Sequence, residues 1–368
     1  MKRAFDKTEL KNLELKNRFL RSATWEGLAD EQGRVTYQLI ELHSLLAQGN
    51  IGLVIAGFAF VRADGQAVPH QTGLHRDDLL PGLSALTAAV HKAQGLIAAQ
   101  IAHGGLRTNP ELAGVEAAAG PSAVTLPGLT EKTRELSLPE ITAIIEDFGR
   151  AAARVRTAGF DAVQIHAAHG YLLNQFLSPR INRRGDRYGG NLPNRARIVY
   201  ETYEAIRGAV GPDFPVFLKI NAEDFIEGGL QLDEAVTVAR NLVEMGLDLV
   251  EVSGGGPWDE KLGPERVKID RPDREAYFRK HAAAMKDKIK APTALVGGLR
   301  SPTVIEEVLS ARQADYVSLS RPLIREPRLI QRWADGDLTP AACISCNKCF
   351  DLVRQGQGLA CAAKDKEE

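Results

Sequence analysis

Cysteine is almost missing from this chain of 368 residues. Four occur, Cys343, Cys346, Cys349 and Cys361, all within the last 26 residues. A secreted scaffold held by disulfides would spread its cysteines along the chain. Their confinement to one end points to a local thiolate site instead. Net charge is missing too: 46 Lys and Arg stand against 47 Asp and Glu, and the isoelectric point is near 6.7. No global basic field marks the chain as a nucleic-acid binder. No hydrophobic run approaches the roughly 20 residues of a membrane span. The N-terminus, MKRAFDKTELKN, lacks the apolar stretch of a signal peptide. A cytoplasmic protein with neither nucleic-acid nor membrane partners is expected.

What is present is alternation. Short apolar runs recur: FLRSA (19–23), GLVIAGF (52–58), LIAAQI (96–101), DAVQIH (161–166), PVFLKI (215–220), DLVEVS (248–253), TALVGG (293–298) and DYVSLS (315–320). Such runs suit strands covered on both faces. Helical stretches lie between them. SLPE (137–140) has the capping-box pattern before ITAIIEDFGRAAARV. Ser301-Pro302 sets an N-cap residue type before a proline at the first helical position. LDEAVTVARNLVEMG (232–246) has helical spacing and ends on glycine. A weak repeat, GFDAVQI (159–165) against GLDLVEV (246–252), supports helix end, turn and strand recurring in one order.

Eight strands with seven helical regions between them predict an α/β protein with a (β/α)8 TIM barrel. A doubly wound sheet is the main alternative, but it would usually show G-x-G-x-x-G after its first strand, where this chain reads SATWEG. Length alone suggests two or three domains, yet barrels often run this long as one. No linker precedes about residue 335, so the division expected is a barrel over 1–335 and a short cysteine-bearing extension over 336–368. The last residues, AAKDKEE (362–368), read as a solvated tail.

Functional groups of such a barrel sit where strands end and loops begin. Gln100, His103, His166, His169, Lys219, Gly297, Gly298, Ser320 and Arg321 fall there. GGLRSP after the seventh strand and SRPLIREP after the eighth offer backbone N–H groups and a cation, as a phosphate site requires. Glycines also make tight strand-to-helix turns, so structure alone could explain them. His166 and His169 are spaced i, i+3, with Tyr171 two residues further on. Zinc would need a further protein ligand, and neither H-E-x-x-H nor an acidic partner pattern is nearby. A pair that merely packs is the plain alternative. A functional pair would donate hydrogen bonds to a substrate oxygen while the tyrosine delivers a proton.

The segment HAAHGYLLNQFLSPRINRRGDRYGG (166–190) closely resembles the Old Yellow Enzyme family of flavin-dependent ene reductases, the NADH:flavin oxidoreductases. The resemblance extends through LKNRFLRSAT, AAQIAHGG, GPSAV, RELSLPEI, VGGLRSP and SLSRPLIREP, and so over nearly the whole chain. It implies FMN in the mouth of the barrel and NADH or NADPH as reductant. Ser22, Ala23 and Thr24 would line the flavin and Gln100 would bond its pyrimidine side. Lys219 would stand at the N1 and O2 edge, where many relatives carry Arg. Gly297 and Gly298 with Ser320 and Arg321 would hold the phosphate. His166 and His169 would grip a carbonyl or nitro oxygen, and Tyr171 would be the proton donor. Hydride would pass to the β-carbon of an activated alkene. Trp25 stands where many relatives have Thr, Cys or His, and would reshape the substrate pocket. Ser320 replaces a common glycine.

The run CISCNKCF followed by Cys361 has the spacing C-x2-C-x2-C-x11-C. It resembles the [4Fe–4S] ligand segment of the 2,4-dienoyl-CoA reductase and trimethylamine dehydrogenase branch. Four thiolates suit such a cluster. Zinc is the competitor, and a disulfide or vestigial thiols the plain reading. In that branch the cluster relays electrons to a second nucleotide-binding region. The chain stops soon after Cys361, so a cluster here would draw electrons from a separate donor protein or be structural.

Three classes follow. The first is an ene reductase acting on a small enone or enoyl thioester. The second is an amine dehydrogenase, a branch that typically lacks the first histidine of the pair. The third is an electron-transfer subunit. The loop 107–136 is expected to roof the pocket. The resemblance leaves open whether the chain forms a homo-oligomer.

Overall fold

The computed structural model describes residues 3–363, so Lys364–Glu368 of the expected tail and the first two residues of the N-terminus lie outside it. Eight parallel strands close into a barrel: β1 (Phe19–Arg21), β2 (Leu53–Phe60), β3 (Ile97–Ala102), β4 (Ala162–Ala167), β5 (Val216–Asn221), β6 (Leu249–Ser253), β7 (Thr293–Val296) and β8 (Tyr316–Leu319). Each pairs with its neighbours in chain order, and β8 returns to β1 with Val317 opposite Phe19. The expected (β/α)8 barrel is therefore present, and all eight apolar runs became its strands. No helix among the described residues is long and apolar enough to cross a membrane.

The strands are buried on both faces because helices cover the outside. The covering set is α1 (Tyr37–Gln48), α2 (Leu80–Lys92), α3 (Leu138–Thr157), α4 (Leu192–Val210), α5 (Leu232–Glu244), α6 (Arg279–Lys288) and α7 (Pro302–Ser310), followed by α8 (Leu329–Ala334). On α3, Ile141, Ile144, Ile145, Phe148, Ala152 and Val155 form the buried stripe, at the i, i+3, i+4 spacing of one helix face. The Ser137 hydroxyl accepts from the Glu140 N–H, and the Glu140 carboxylate accepts from the Ser137 N–H at 2.8 Å, completing the expected capping box. The N-terminus of α7 differs from expectation. Ser301 holds the N-cap position, but its hydroxyl donates to Glu275 at 2.5 Å instead of capping the helix. Glu275 takes over, accepting the Arg300 and Ser301 N–H groups at 2.8 and 2.9 Å.

A hairpin, Thr8–Leu10 paired with Leu13–Leu15, closes the N-terminal end of the barrel. Its Leu10 and Leu15 pack with Leu20, Leu53, Ile55, Phe217, Leu249 and Tyr316 from the strand interiors. That apolar plug leaves the opposite, C-terminal mouth for polar groups. Over the mouth, the loop 107–136 carries two short parallel strands, Ala118–Gly120 and Thr133–Glu135. Leu106, Val124, Leu126 and Leu129 pack there against Ile181 and Trp258 from other loops. After α8 the chain folds back on the barrel. Ala341 exchanges backbone and guanidinium hydrogen bonds with Arg300, and the Ala342 N–H is held by Glu326.

Candidate active site

A chain of buried polar side chains crosses the mouth of the barrel. The Gln100 amide on β3 donates to Gln164 on β4 at 2.7 Å, and Gln164 donates to Glu251 on β6 at 3.0 Å. The Lys219 ammonium on β5 lies 3.6 Å from Glu251 and donates to the Ser22 hydroxyl at 2.8 Å. Placing a carboxylate and an ammonium in a barrel interior is costly unless each meets the other. Lys219 has three N–H groups, and the hydrogen bond to Ser22 occupies one of them. Glu251 Oε1 is buried without a partner among the described residues.

The next layer is built by the turn that follows β4. His169 and Gly170 adopt φ of 59° and 75°. A histidine in the left-handed region needs outside support, and Asn221 and Asn174 provide it. Asn221 accepts the His169 N–H at 3.1 Å, and Asn174 accepts the Gly170 N–H at 2.7 Å. Both amides donate to the buried Asp224 carboxylate, at 2.9 and 3.0 Å. The turn brings three rings together. The His166 centroid lies 5.2 Å from His169 and 4.8 Å from Tyr171, and the Phe58 ring packs tilted against Tyr171 at 4.9 Å.

The His166 Nδ1 atom accepts the Ala168 N–H at 3.3 Å, which leaves the ring proton on Nε2. His169 Nε2 meets the Ser253 hydroxyl at 2.7 Å. Burial pushes both imidazoles well below their ordinary range, and the Lys219 and Arg107 cations push further. They are neutral hydrogen-bonding groups. Burial raises the Tyr171 phenol, while Arg107 pulls it back. Trp25 packs against this cluster from the side, its indole N–H donating to the Pro69 carbonyl at 3.1 Å.

The remaining expected residues divide. Ser22, Ala23 and Thr24 follow β1 directly, and the Thr24 and Ser320 hydroxyls meet at 2.7 Å. Gly297 and Gly298 adopt φ of 131° and 73° beneath the Tyr277 ring, where any side chain would collide with it. His103 turns away from the mouth: its Nδ1 accepts the Gly105 N–H and its Nε2 lies 3.4 Å from Asp64. Arg321 faces the extension. Its Nη1 donates to the Arg266 carbonyl at 2.8 Å and to Asn347 at 2.6 Å.

Beside Arg321 the four cysteines line one small pocket. The turn CISCNKCF wraps it by placing Ser345 and Asn347 at φ of 53° and 61°. Burial raises the Cys343 thiol and lifts Cys349 to about 11. Among the described residues no three His, Cys, Asp or Glu side chains are drawn close enough to hold a metal ion.

Reading the strand ends alone misses Gln164, Glu251, Arg107 and the Asp224 hub. Gln164 and Glu251 had a usable signal, a polar residue in the middle of an apolar strand, in DAVQIH and DLVEVS. Arg107 had none; its place depends on how the loop after β3 folds.

The parallel barrel, with these groups gathered at its C-terminal mouth, defines a (β/α)8-barrel protein with a built site. Within that class the chain belongs to the NADH:flavin oxidoreductase / NADH oxidase family, whose sequence profile matches residues 4–338. It is 35% identical over 350 residues to the NADH oxidase of Thermoanaerobacter brockii, covering 93% of this chain and 52% of that protein. The chain thus spans about half that relative's length. It superposes on a 2-naphthoyl-CoA reductase in complex with 2-naphthoyl-CoA with a TM-score of 0.90 at 27% identity, over 99% of this chain and 57% of that one. An Old Yellow Enzyme homologue from Zymomonas mobilis matches with a TM-score of 0.79 at 25% identity, over 93% and 96%. The Old Yellow Enzyme resemblance holds.

Proposed function

We propose that this chain binds FMN in the barrel mouth, draws on NADH or NADPH, and reduces the activated C=C bond of α,β-unsaturated carbonyl compounds. The observation that carries this reading is the gathering of the His166, His169 and Tyr171 rings, their imidazoles held neutral by burial, beside Lys219. The side chains suit FMN. Gln100 offers a donor and an acceptor to a pyrimidine edge, and Lys219 offers a cation with an N–H to spare. Glu251 Oε1 adds an unsatisfied acceptor on the same layer. Ser22, Ala23 and Thr24 would flank the ring. Gly297, Gly298 and Ser320 would hold the phosphate, with the three N–H groups that Arg321 keeps on Nε and Nη2. Bound FMN would supply the hydride chemistry, from NAD(P)H to the alkene.

The chain's own part is electrostatic. Two imidazole N–H donors on one substrate oxygen stabilise the negative charge that grows there as the alkene is reduced. Neutral donors suit this task, because the charge appears only in the reaction. Burial keeps Tyr171 protonated, so its O–H stays available for the α-carbon into the alkaline range. The 2-naphthoyl-CoA complex among the structural neighbours makes an enoyl thioester a candidate substrate beside small enones.

The four cysteines suit a [4Fe–4S] cluster in kind and number, but they do not form a coordination cage as they stand. Loading a cluster or zinc would strip protons from buried thiols and draw the loop in. A cluster would also give a protein electron donor a route of entry. An anaerobic experiment tests the main reading. Protein with chemically reduced flavin is mixed with 2-cyclohexen-1-one or with an alkylamine. Reoxidation by the enone supports ene reduction. Bleaching of oxidised flavin by the amine, with no response to the enone, would assign an amine dehydrogenase instead.

A further inference from the structure

Among the described residues, Arg107 is a cation without an anion. Three buried guanidinium groups of this fold meet carboxylates, Arg21 with Glu26 at 3.0 Å, Arg184 with Asp186 at 2.6 Å, and Arg195 with Glu234, whereas Arg321 meets only the Arg266 carbonyl and Asn347 among the described residues. The partners of Arg107 are the His169 carbonyl, at 2.7 Å from Nη1, and the face of the Tyr171 ring, 4.4 Å from the guanidinium carbon. Neither is anionic. The acidic group whose field reaches Tyr171 is Glu265, which is exposed. Arg107 is half-buried, so its position is reached from solvent.

Its placement is fixed by a rigid turn. Gly105–Arg107 forms a single 3-10 turn, with Gly105 at φ 59°. The Leu106 N–H donates to Gln175 at 3.0 Å, and Leu106 and Thr108 on either side are fully buried. A guanidinium has five N–H groups in one plane. One serves His169, and stacking on Tyr171 occupies a face rather than the edge. The free edge can take a carboxylate through two parallel hydrogen bonds. The charge of Arg107 also reaches both histidines and the tyrosine.

We propose that Arg107 is a specificity-determining residue that favours activated alkenes carrying a carboxylate. The inference rests on the ene-reduction reading. The histidine pair holds the carbonyl oxygen, Tyr171 protonates the α-carbon, and Arg107 pairs with the carboxylate of the same substrate. A substrate without that group leaves Arg107 on its present partners and loses the ion pair.

The test compares monomethyl fumarate, an anion, with dimethyl fumarate, its neutral counterpart, in the FMN-loaded wild type and in Arg107→Gln and Arg107→Lys. The readout is the ratio of kcat/KM between the two substrates. A hydrogen-bonded charge pair of ordinary strength predicts that Arg107→Gln lowers the ratio by about tenfold or more, chiefly through KM for the monoester. Arg107→Lys should keep much of it. Gln retains a donor for the His169 carbonyl, so flavin content should stay near wild type, and any loss through the altered field at Tyr171 and the histidines falls on both substrates and cancels in the ratio. An unchanged ratio, or an equal loss on both substrates, overturns the inference and leaves ene reduction intact. A wild type that reduces dimethyl fumarate no faster than buffer would overturn the ene-reduction reading, and this inference with it.

Discussion

His166 and His169 show how position decides protonation. Each has an ordinary value near 6.5, and burial beside Lys219 and Arg107 moves it well below. In the unfolded chain the value returns to normal. Between the two, the unfolded state binds more protons, so stability is full above about pH 6.5 and falls as the pH drops below it. Wild-type protein should therefore lose melting temperature from about pH 7.5 to about 5.5. His166→Gln/His169→Gln should lose less over the same interval, since glutamine does not titrate. Calorimetric melts across that range check this, and parallel pH profiles would show that the imidazoles are not held neutral. The two histidines and Tyr171 were legible from their spacing. Arg107 was not, because a loop residue has no periodicity to mark it. The outward turn of His103 toward Asp64 was hidden too, since a strand-end position does not say which way a side chain points.

Among the elements, the barrel strands were easiest to read. β2 (LVIAGFAF) is an unbroken apolar run and β3 (IAAQIA) is interrupted only by Gln100, as burial on both faces demands. The hairpin Thr8–Leu10 and Leu13–Leu15 left no such trace, because three-residue strands barely alternate. Helix starts were legible only when the cap was local. Ser137 and Glu140 cap α3 within one turn, and Arg134 donates to Glu140 and holds its carboxyl near 2. The α7 cap comes from Glu275, 26 residues before Ser301, and spacing could not reveal it. Ser137→Ala should cost about 1 kcal/mol. A denaturant titration reads that as a lower midpoint with an unchanged slope, and an unchanged midpoint would mean that the Glu140–Arg134 pair holds the turn alone.

At the scale of the whole molecule, an apolar plug closes one end of the barrel and a polar mouth opens at the other, with the cysteine-bearing segment folded against the side of that mouth. Arg321 links the two. It follows β8 directly, yet donates to Asn347 in the middle of the cysteine turn. The motif spacing was legible from the chain; the shared arginine needed the fold. If the segment holds a cluster, anaerobically purified protein should carry about four irons and about four sulfides per chain. Cys349→Ser should lose both while keeping its flavin. Zinc in place of iron would assign a structural site of four thiolates, and neither metal would make the thiols a packing feature.

The most direct test of the account is the rate at which 2-cyclohexen-1-one reoxidises the reduced flavin, measured anaerobically in wild type and in His166→Gln/His169→Gln. Paired donors to a developing oxyanion predict a fall of about a hundredfold or more in this half-reaction. Reduction of the flavin by NAD(P)H and the flavin content should stay near wild type. Equal reoxidation rates in the two proteins would contradict the account and leave the histidines as packing residues.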